Sequence, residues 1–183
     1  MKSIITTIVL TAGIFSAGKA QDYLTRNGNV SFYSHTALED IKAQNNEAVS
    51  TLNSQTGDIE FKVAVKSFHF AKTAMEDHFN NSDYMNSEKY PKAGFKGKIT
   101  NLSAVNFSQN GTYKVNVQGD LTMKATTKPV TAQATITVDN GTVTASCVFT
   151  VNRLDFDVVG EAFVQKKIAE QIEITVNCKY DKR

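Results

Sequence analysis

The most regular pattern in this sequence is an alternation of apolar and polar residues between Tyr113 and Met123. Apolar side chains occupy every second position up to Val117 and resume at Leu121, with polar residues between them. A period of two is typical of a β-strand with one buried and one exposed face. Gly119 falls on the buried face, where the missing side chain lets another segment approach closely. The segment is therefore predicted to be a half-buried strand.

Similar alternation recurs on both sides of this strand. It covers residues 59–65, 130–138, 143–151 and 172–180, and Val30 with Phe32 marks an earlier strand. Asn140-Gly141 separates two of these segments and favours the tight turn of a β-hairpin. Asn110-Gly111 predicts a second hairpin, between a strand around Phe95, Ile99 and Phe107 and the strand that begins at Tyr113. Residues 37–53 fit either strands or a short helix.

The strand pattern breaks after residue 65. Phe68 and Phe70 are out of phase with the preceding strand, which predicts a β-bulge near Ser67. The intervening His69 is then expected to face solvent. This break separates one strand from a more irregular stretch of the chain.

A short helical insertion is predicted near residues 73–88. Thr73-Ala-Met-Glu76 has the spacing of a capping box, so we expect a helix that begins at Ala74. Met75 and Phe79 are four residues apart and would share one face of that helix. The insertion is therefore predicted to be amphipathic.

The number of strands defines the fold class. About eight strands, without the regularly interspersed helices of a parallel sheet, predict an all-β, antiparallel domain. Such a set of strands forms either a sandwich or a closed barrel. An eight-stranded barrel is wide enough to fill with its own side chains or to hold one small ligand.

The first twenty residues have the pattern of a secretory signal peptide. Lys2 precedes an apolar run from Ile4 to Phe15, and small residues lead to a cleavage site between Ala20 and Gln21. We therefore expect residues 1–20 to be removed and residues 21–183 to form one exported domain, periplasmic or secreted, without a membrane-spanning segment. The cleaved segment carries two lysines and no acid, so 20 basic and 18 acidic side chains become 18 of each. A neutral chain without a basic cluster predicts no nucleic-acid partner.

Cys147 and Cys178 are the two cysteines of the chain, and both fall on predicted buried faces. An oxidising compartment would allow a disulfide between them, whereas the same positions also suit two small buried thiols. Both alternatives remain open. Two cysteines without a nearby histidine do not form a zinc site.

The chain has none of the common catalytic motifs, including the nucleophile elbow, the phosphate-binding loop and the zinc-protease helix. We therefore expect a protein that is not an enzyme and that has no metal site. An enzyme remains the third alternative, and it would depend on His35, Asp77 and His78. Apolar residues are instead concentrated between Phe61 and Phe95. They indicate either an ordinary core or a lid over an apolar ligand.

Several segments, in order along the chain, resemble the YceI-like family. They are Gly28-Asn-Val-Ser-Phe-Tyr-Ser-His35, Asp77-His78-Phe79, Ser82-Asp83-Tyr84-Met85, Lys89-Tyr90-Pro91, Phe95-Lys96-Gly97, Gly119-Asp120-Leu121-Thr122, Thr127-Lys128-Pro129-Val130 and Phe149-Thr-Val-Asn-Arg153-Leu-Asp155-Phe156. Several positions depart from the family pattern, among them Ala125-Thr126, which replaces the usual Gly-Val, and the span between His35 and Ile59. Glu76 stands where arginine is common, and Asp157 stands where glycine is common.

The resemblance implies an extended lipocalin-like eight-stranded antiparallel barrel that holds a long isoprenoid lipid or quinone. The protein would then be an exported binding protein for transport, storage or sensing, with no other cofactor. Three polar residues would lie at the barrel mouth: His35, Asp77 and His78. The expected ligand-lining residues are Phe32, Phe61, Val63, Phe68, Phe70, Met75, Phe79, Tyr84, Met85, Phe95, Val117 and Phe149. The main alternative is a ligand-free structural or stress-interaction protein with a filled barrel, and apolar residues exposed at the mouth would favour a homodimer.

Overall fold

Eight antiparallel strands close into a barrel in the computed structural model, which describes residues 22–183. Within these residues, the nine strands are β1 Asp22–His35, β2 Asp40–Asn53, β3 Asp58–Ala64, β4 His69–Phe70, β5 Lys92–Ile99, β6 Gly111–Met123, β7 Thr126–Asp139, β8 Thr142–Asn152 and β9 Gln171–Lys182, with one helix, α1 Thr73–Asn80. The predicted signal peptide lies outside the described residues.

The strand order around the barrel is β1-β9-β8-β7-β6-β5-β3-β2, and β2 pairs again with β1. That last pairing runs from Asp22 opposite Asn53 to His35 opposite Asp40 and closes the sheet. The two-residue strand β4 is added to β2 outside the ring. The predicted all-β barrel with a short helical insertion is confirmed.

The two predicted Asn-Gly hairpins have different outcomes. Asn140 and Gly141 have φ angles of 47° and 83°, the double left-handed conformation of a type I′ turn, and they join β7 to β8 as predicted. The tight turn predicted at Asn110-Gly111 is wrong, although β5, which contains Phe95 and Ile99, does pair with β6 in antiparallel register. Residues 100–110 form a longer connection with a 3-10 turn at Leu102–Ala104, and Phe107 lies outside the strands. Its ring stacks on that of Tyr23 at a centroid distance of 5.7 Å, so burial at the barrel end replaces strand pairing.

The break near Ser67 is a 3-10 turn at Val65–Ser67 rather than a β-bulge. The turn resets the phase of the chain, which is why Phe68 and Phe70 face inward while His69 is exposed, as expected. The irregular pairings lie instead between β1 and its two neighbours, β2 and β9. There Asn45 accepts a hydrogen bond from the Glu47 N–H at 2.8 Å.

Helix α1 begins at Thr73 and has no side-chain cap. The predicted capping box is wrong, because Glu76 Oε2 accepts a hydrogen bond from the Phe70 N–H at 3.3 Å instead. The Glu76 carboxylate therefore ties the helix to β4 rather than satisfying the helix's own N-terminus.

The barrel has one filled end. Large buried side chains from seven strands pack there, among them Tyr23, Leu52, Val115, Ile136 and Val143. The opposite end carries α1, the β1–β2 turn at residues 36–39, and residues 153–170. We call these the closed end and the mouth.

A glycine pair lets β5 and β6 approach each other. Gly97 lies opposite Gly119, and the ring of Phe95 covers both. A β-carbon on Gly119 would lie 2.7 Å from Phe95 Cζ and closer still to the Lys96 carbonyl oxygen and Gly97 Cα. The close approach that the alternation predicted at Gly119 is confirmed.

We expect Gly119→Ala to lower the free energy of unfolding by about 1–3 kcal/mol, the usual cost of overpacking a tight site. Urea denaturation of the purified domain would measure this loss. Gly94→Ala on β5 is the matched control, because its added β-carbon would meet Phe61 O at 3.2 Å and nothing closer. An equal loss in the two variants would contradict the role of the glycine pair.

Candidate ligand-binding cavity

The inward-facing side chains enclose a cavity of about 550 Å³ between the closed end and the mouth. This volume is within the range of small-molecule sites, which span roughly 300–1,000 Å³. Its wall is formed largely by aliphatic and aromatic side chains from the barrel strands and α1. Apolar walls of this kind favour apolar ligands and penalise unpaired charges.

All twelve residues that were expected to line a ligand lie in the wall of this cavity. They are Phe32, Phe61, Val63, Phe68, Phe70, Met75, Phe79, Tyr84, Met85, Phe95, Val117 and Phe149. Strand alternation accounts for the eight on strands or next to them, because inward positions recur every two residues. Their contact with a ligand stays a prediction.

Phe79 is at the centre of an aromatic cluster beneath α1. Its ring centroid lies 5.5 Å from that of Phe32, 5.2 Å from Phe70 and 5.7 Å from Phe68. These separations are typical of favourable aromatic pairs. No residue of α1 is fully buried, so this cluster and the Glu76 carboxylate are its main attachments to the barrel. The helix is a thin cover over the cavity.

Tyr84 and Met85 form a firmer part of the same side of the mouth. Both are buried, and the Met85 N–H donates to Phe79 O at 3.0 Å. The Tyr84 ring packs against Gly160, and a β-carbon on this glycine would lie 2.9 Å from Tyr84 Cε1. These two residues therefore join the helical insertion to the second cover of the mouth.

That second cover is residues 157–170, which sequence reasoning missed. Arg153, 6 % exposed, holds it in place. Its Nε donates to Ala169 O at 3.1 Å, and Nη1 donates to Val158 O and Val159 O at 2.5 and 2.6 Å. Burial lowers the pKa of this guanidinium from its ordinary value. The signal that could have found it was an arginine at an inward strand end, where a charge requires several acceptors.

Both edges of this cover are attached to the mouth. The Gly160 N–H donates to Asp83 O at 2.9 Å, and the Ala169 N–H donates to Ser34 Oγ at 2.9 Å. Asp157, at the start of the segment, has a φ of 56°. Glycine adopts this left-handed conformation without strain, which explains why glycine would suit the position.

The three predicted polar mouth residues are not brought together. His35 is 67 % exposed, and its Nδ1 lies 2.5 Å from Asp40 Oδ1. Hydrogen bonds from His35 and Tyr33 lower the pKa of the Asp40 carboxyl. Asp77 is exposed and outside the cavity wall, whereas His78 lies in it.

The reasons are geometric. Ser34 is the inward residue at the end of β1, so its neighbour His35 points outward. Asp77 is two residues from Met75 and Phe79, which places it on the opposite face of the helix. In the part of the chain that the structure describes, no group of three or more His, Cys, Asp or Glu residues is placed to hold a metal ion.

The two cysteines are free thiols on neighbouring strands. Cys147 lies opposite Val176 and Cys178 opposite Ala145, so they are offset by two residues and the disulfide alternative is not realised. Cys147 donates to Gln133 O at 3.4 Å. Burial raises the pKa of both thiols, that of Cys178 to about 11.

The sequence matches the model of the YceI-like domain over residues 23–180. The chain therefore belongs to the YceI-like family. No curated protein matches it significantly. Among residues 22–183, none of the helices has the length and apolar character needed to span a membrane.

Solved structures share the fold. BcnA of Burkholderia cenocepacia superposes with a TM-score of 0.69 at 22% identity, covering 84% of this chain and 96% of its own. A polyisoprenoid binding domain from Saccharophagus degradans, implicated in plant cell wall breakdown, superposes with a TM-score of 0.76 at 9% identity. The match covers 90% of this chain and 100% of that domain. The YceI protein of Campylobacter jejuni gives 0.61 at 15% identity, covering 81% and 90%.

We expect Arg153→Met to loosen the second cover while the barrel stays folded, because three backbone carbonyls lose their donor. Hydrogen exchange should become roughly tenfold faster or more in residues 157–170 and remain unchanged in β6 and β7. Arg26→Met, at an exposed position of β1, is the matched control and should leave exchange unchanged both in residues 157–170 and in β6 and β7. Unchanged exchange in residues 157–170 of Arg153→Met would rule out this role.

Alkaline pH should destabilise the fold through Cys178. Its thiol pKa rises from 9.0 in the unfolded chain to about 11 in the barrel. The unfolded state therefore releases this proton first, and this group's contribution to stability, about 3 kcal/mol, is lost as pH rises from 9 to 11. Urea denaturation between pH 8 and 11 should show a smaller decline in the free energy of unfolding for Cys178→Ala than for the unmodified protein. Parallel curves for the two proteins would refute the assignment.

Proposed function

We propose that this protein binds one long-chain isoprenoid or a similar apolar lipid inside the barrel. The observation that carries the proposal is the apolar cavity of about 550 Å³, enclosed by the strands and covered at the mouth. The polyisoprenoid-binding domain of Saccharophagus degradans, which has the same fold, supports this ligand class.

The chemistry of the wall favours a hydrocarbon chain over a small polar metabolite. Each methylene that leaves water for this wall contributes about 0.8 kcal/mol. The charged side chains of the wall, among them Glu39, Lys72 and Lys167, all belong to the mouth. A charged metabolite in the middle of the cavity would lose its hydration without gaining a partner.

The signal-peptide pattern in residues 1–20 adds a location to this proposal. In the periplasm or outside the cell, a long apolar chain cannot diffuse freely through water. A barrel that encloses such a chain serves to carry, store or sense it. The protein acts as a binding protein in this proposal, without catalysis.

Exchange of the lipid takes place at the mouth, because the closed end is filled by its own side chains. Helix α1 has no fully buried residue, and residues 157–170 are attached mainly through hydrogen bonds. Elements with little buried apolar area open most readily. The two covers are therefore the moving parts of the proposed cycle.

The proposal is tested by native mass spectrometry of the protein purified from its own host, followed by organic extraction. We expect a retained mass that partitions into the organic phase. A mass of protein alone, together with no uptake of added polyprenyl quinone, would contradict lipid binding. That result would favour the alternative of a structural protein.

A paired substitution on β7 separates cavity filling from general damage. Ala132 faces the cavity, and its neighbour Gln133 faces solvent on the same strand. We expect Ala132→Phe to occupy the cavity and reduce lipid retention at least about tenfold, a loss equal to roughly two buried methylenes. Gln133→Phe should retain lipid like the unmodified protein. Equal retention by both variants would show that the lipid lies elsewhere.

A further inference from the structure

The floor of the cavity, next to the closed end, carries a buried group of hydrogen-bonding side chains. Ser50 Oγ lies 2.8 Å from Tyr180 Oη, and Cys178 lies two residues before Tyr180 on the same inward face of β9. The three residues are 1 %, 5 % and 4 % exposed, respectively. All three form part of the cavity wall.

A fully apolar cavity wall would have apolar residues at these three positions. Ser50 is an inward residue of β2 between Ala48 and Leu52, both fully buried and apolar. Tyr180 and Cys178 alternate as inward residues of β9. Burying hydroxyl groups in an apolar surface costs free energy unless they are hydrogen-bonded.

The group does not satisfy itself completely. The contact between Ser50 and Tyr180 uses one of the two hydroxyl protons, so one hydroxyl donor and several acceptor lone pairs remain for another molecule. A hydrocarbon end at the floor would leave these atoms without partners. A ligand end that carries a hydroxyl group would provide the missing hydrogen-bond partners.

The charges at the two ends of the cavity differ. The basic side chains in the wall are Lys72, His78, Arg153 and Lys167, and all of them lie at the mouth. Burial raises the pKa of Tyr180 and Cys178 and keeps both neutral near pH 7. A carboxylate or phosphate at the floor would therefore be a buried charge without a counter-charge.

We propose that the floor formed by Ser50, Tyr180 and Cys178 is a subsite for the neutral, hydrogen-bonding head of the lipid, such as an alcohol or a phenol. The head lies at the closed end and the tail runs toward the mouth. From Ser50 to Ile41 the β2 strand rises about 3.3 Å per residue, so with the usual tilt the tail has about 20 Å of cavity to fill. This inference rests on the proposed function and adds the chemical class and direction of the ligand.

The test compares three ligands with one tail: geranylgeraniol, the corresponding hydrocarbon and the corresponding carboxylic acid. Competition for the delipidated protein is measured by native mass spectrometry at pH 8. We expect the alcohol to bind about fivefold more tightly than the hydrocarbon, the usual net value of one buried hydrogen bond. The acid should bind more weakly than the alcohol.

Variants at the floor assign this preference to its residues. Tyr180→Phe and Ser50→Ala should each lower the affinity for the alcohol to about the affinity for the hydrocarbon. Binding of the hydrocarbon itself should be retained. Tyr23→Phe is the matched control, because Tyr23 is also buried at the closed end but lies outside the cavity wall. Melting temperatures report whether each variant is folded.

Direct placement of the head does not depend on any variant. With a ¹³C label on the alcohol carbon, nuclear Overhauser contacts to the Tyr180 ring are expected, and contacts to His78 at the mouth instead would overturn the proposal. Equal binding of alcohol and hydrocarbon would also overturn it while leaving lipid binding intact. If none of the three ligands binds, the proposed function fails as well.

Discussion

The pairing of β1 with β2 is the constraint on which the rest of the structure depends. Fourteen-residue strands meet there in antiparallel register from Asp22 to His35 and turn an open sheet into a ring. Closure satisfies the edge hydrogen bonds of both strands and gives every barrel strand an inside and an outside. A cavity exists because the inward side chains of eight strands do not fill the whole ring.

The interior is divided by side-chain size. Large residues such as Tyr23 and Leu52 fill the closed end, whereas Ala132 and Ala145 leave space in the middle of the wall. The Gly97–Gly119 pair leaves room for the ring of Phe95 against the sheet. The same strands therefore provide both a stabilising core and a binding space, without a separate domain for either task.

The two covers are held by different forces. Aromatic packing around Phe79 holds α1, and the hydrogen bonds of one buried guanidinium hold residues 157–170. Aromatic contacts near the surface break and re-form easily. The hydrogen bonds of a charged donor to three carbonyl acceptors cost more free energy to break. This difference favours α1 as the first part of the mouth to open.

Local pattern predicted most of the strands, their inward positions and much of the candidate cavity wall, because a period of two depends only on neighbouring residues. It left β2 undecided, since residues 37–53 also fitted a short helix. The same rule explains why the prediction for His35 failed, since this residue follows the inward Ser34 and so points away from the cavity. Pattern failed where a specific contact outside the regular strands decided the outcome. Glu76 binds the Phe70 N–H instead of capping its helix, Phe107 leaves its expected strand to stack on Tyr23, and Arg153 finds carbonyls on a segment with no regular pattern. The Phe107–Tyr23 contact joins residues remote in the chain, and the other two depend on the course of irregular segments that no residue period predicts, so three-dimensional packing defines the mouth and the polar floor.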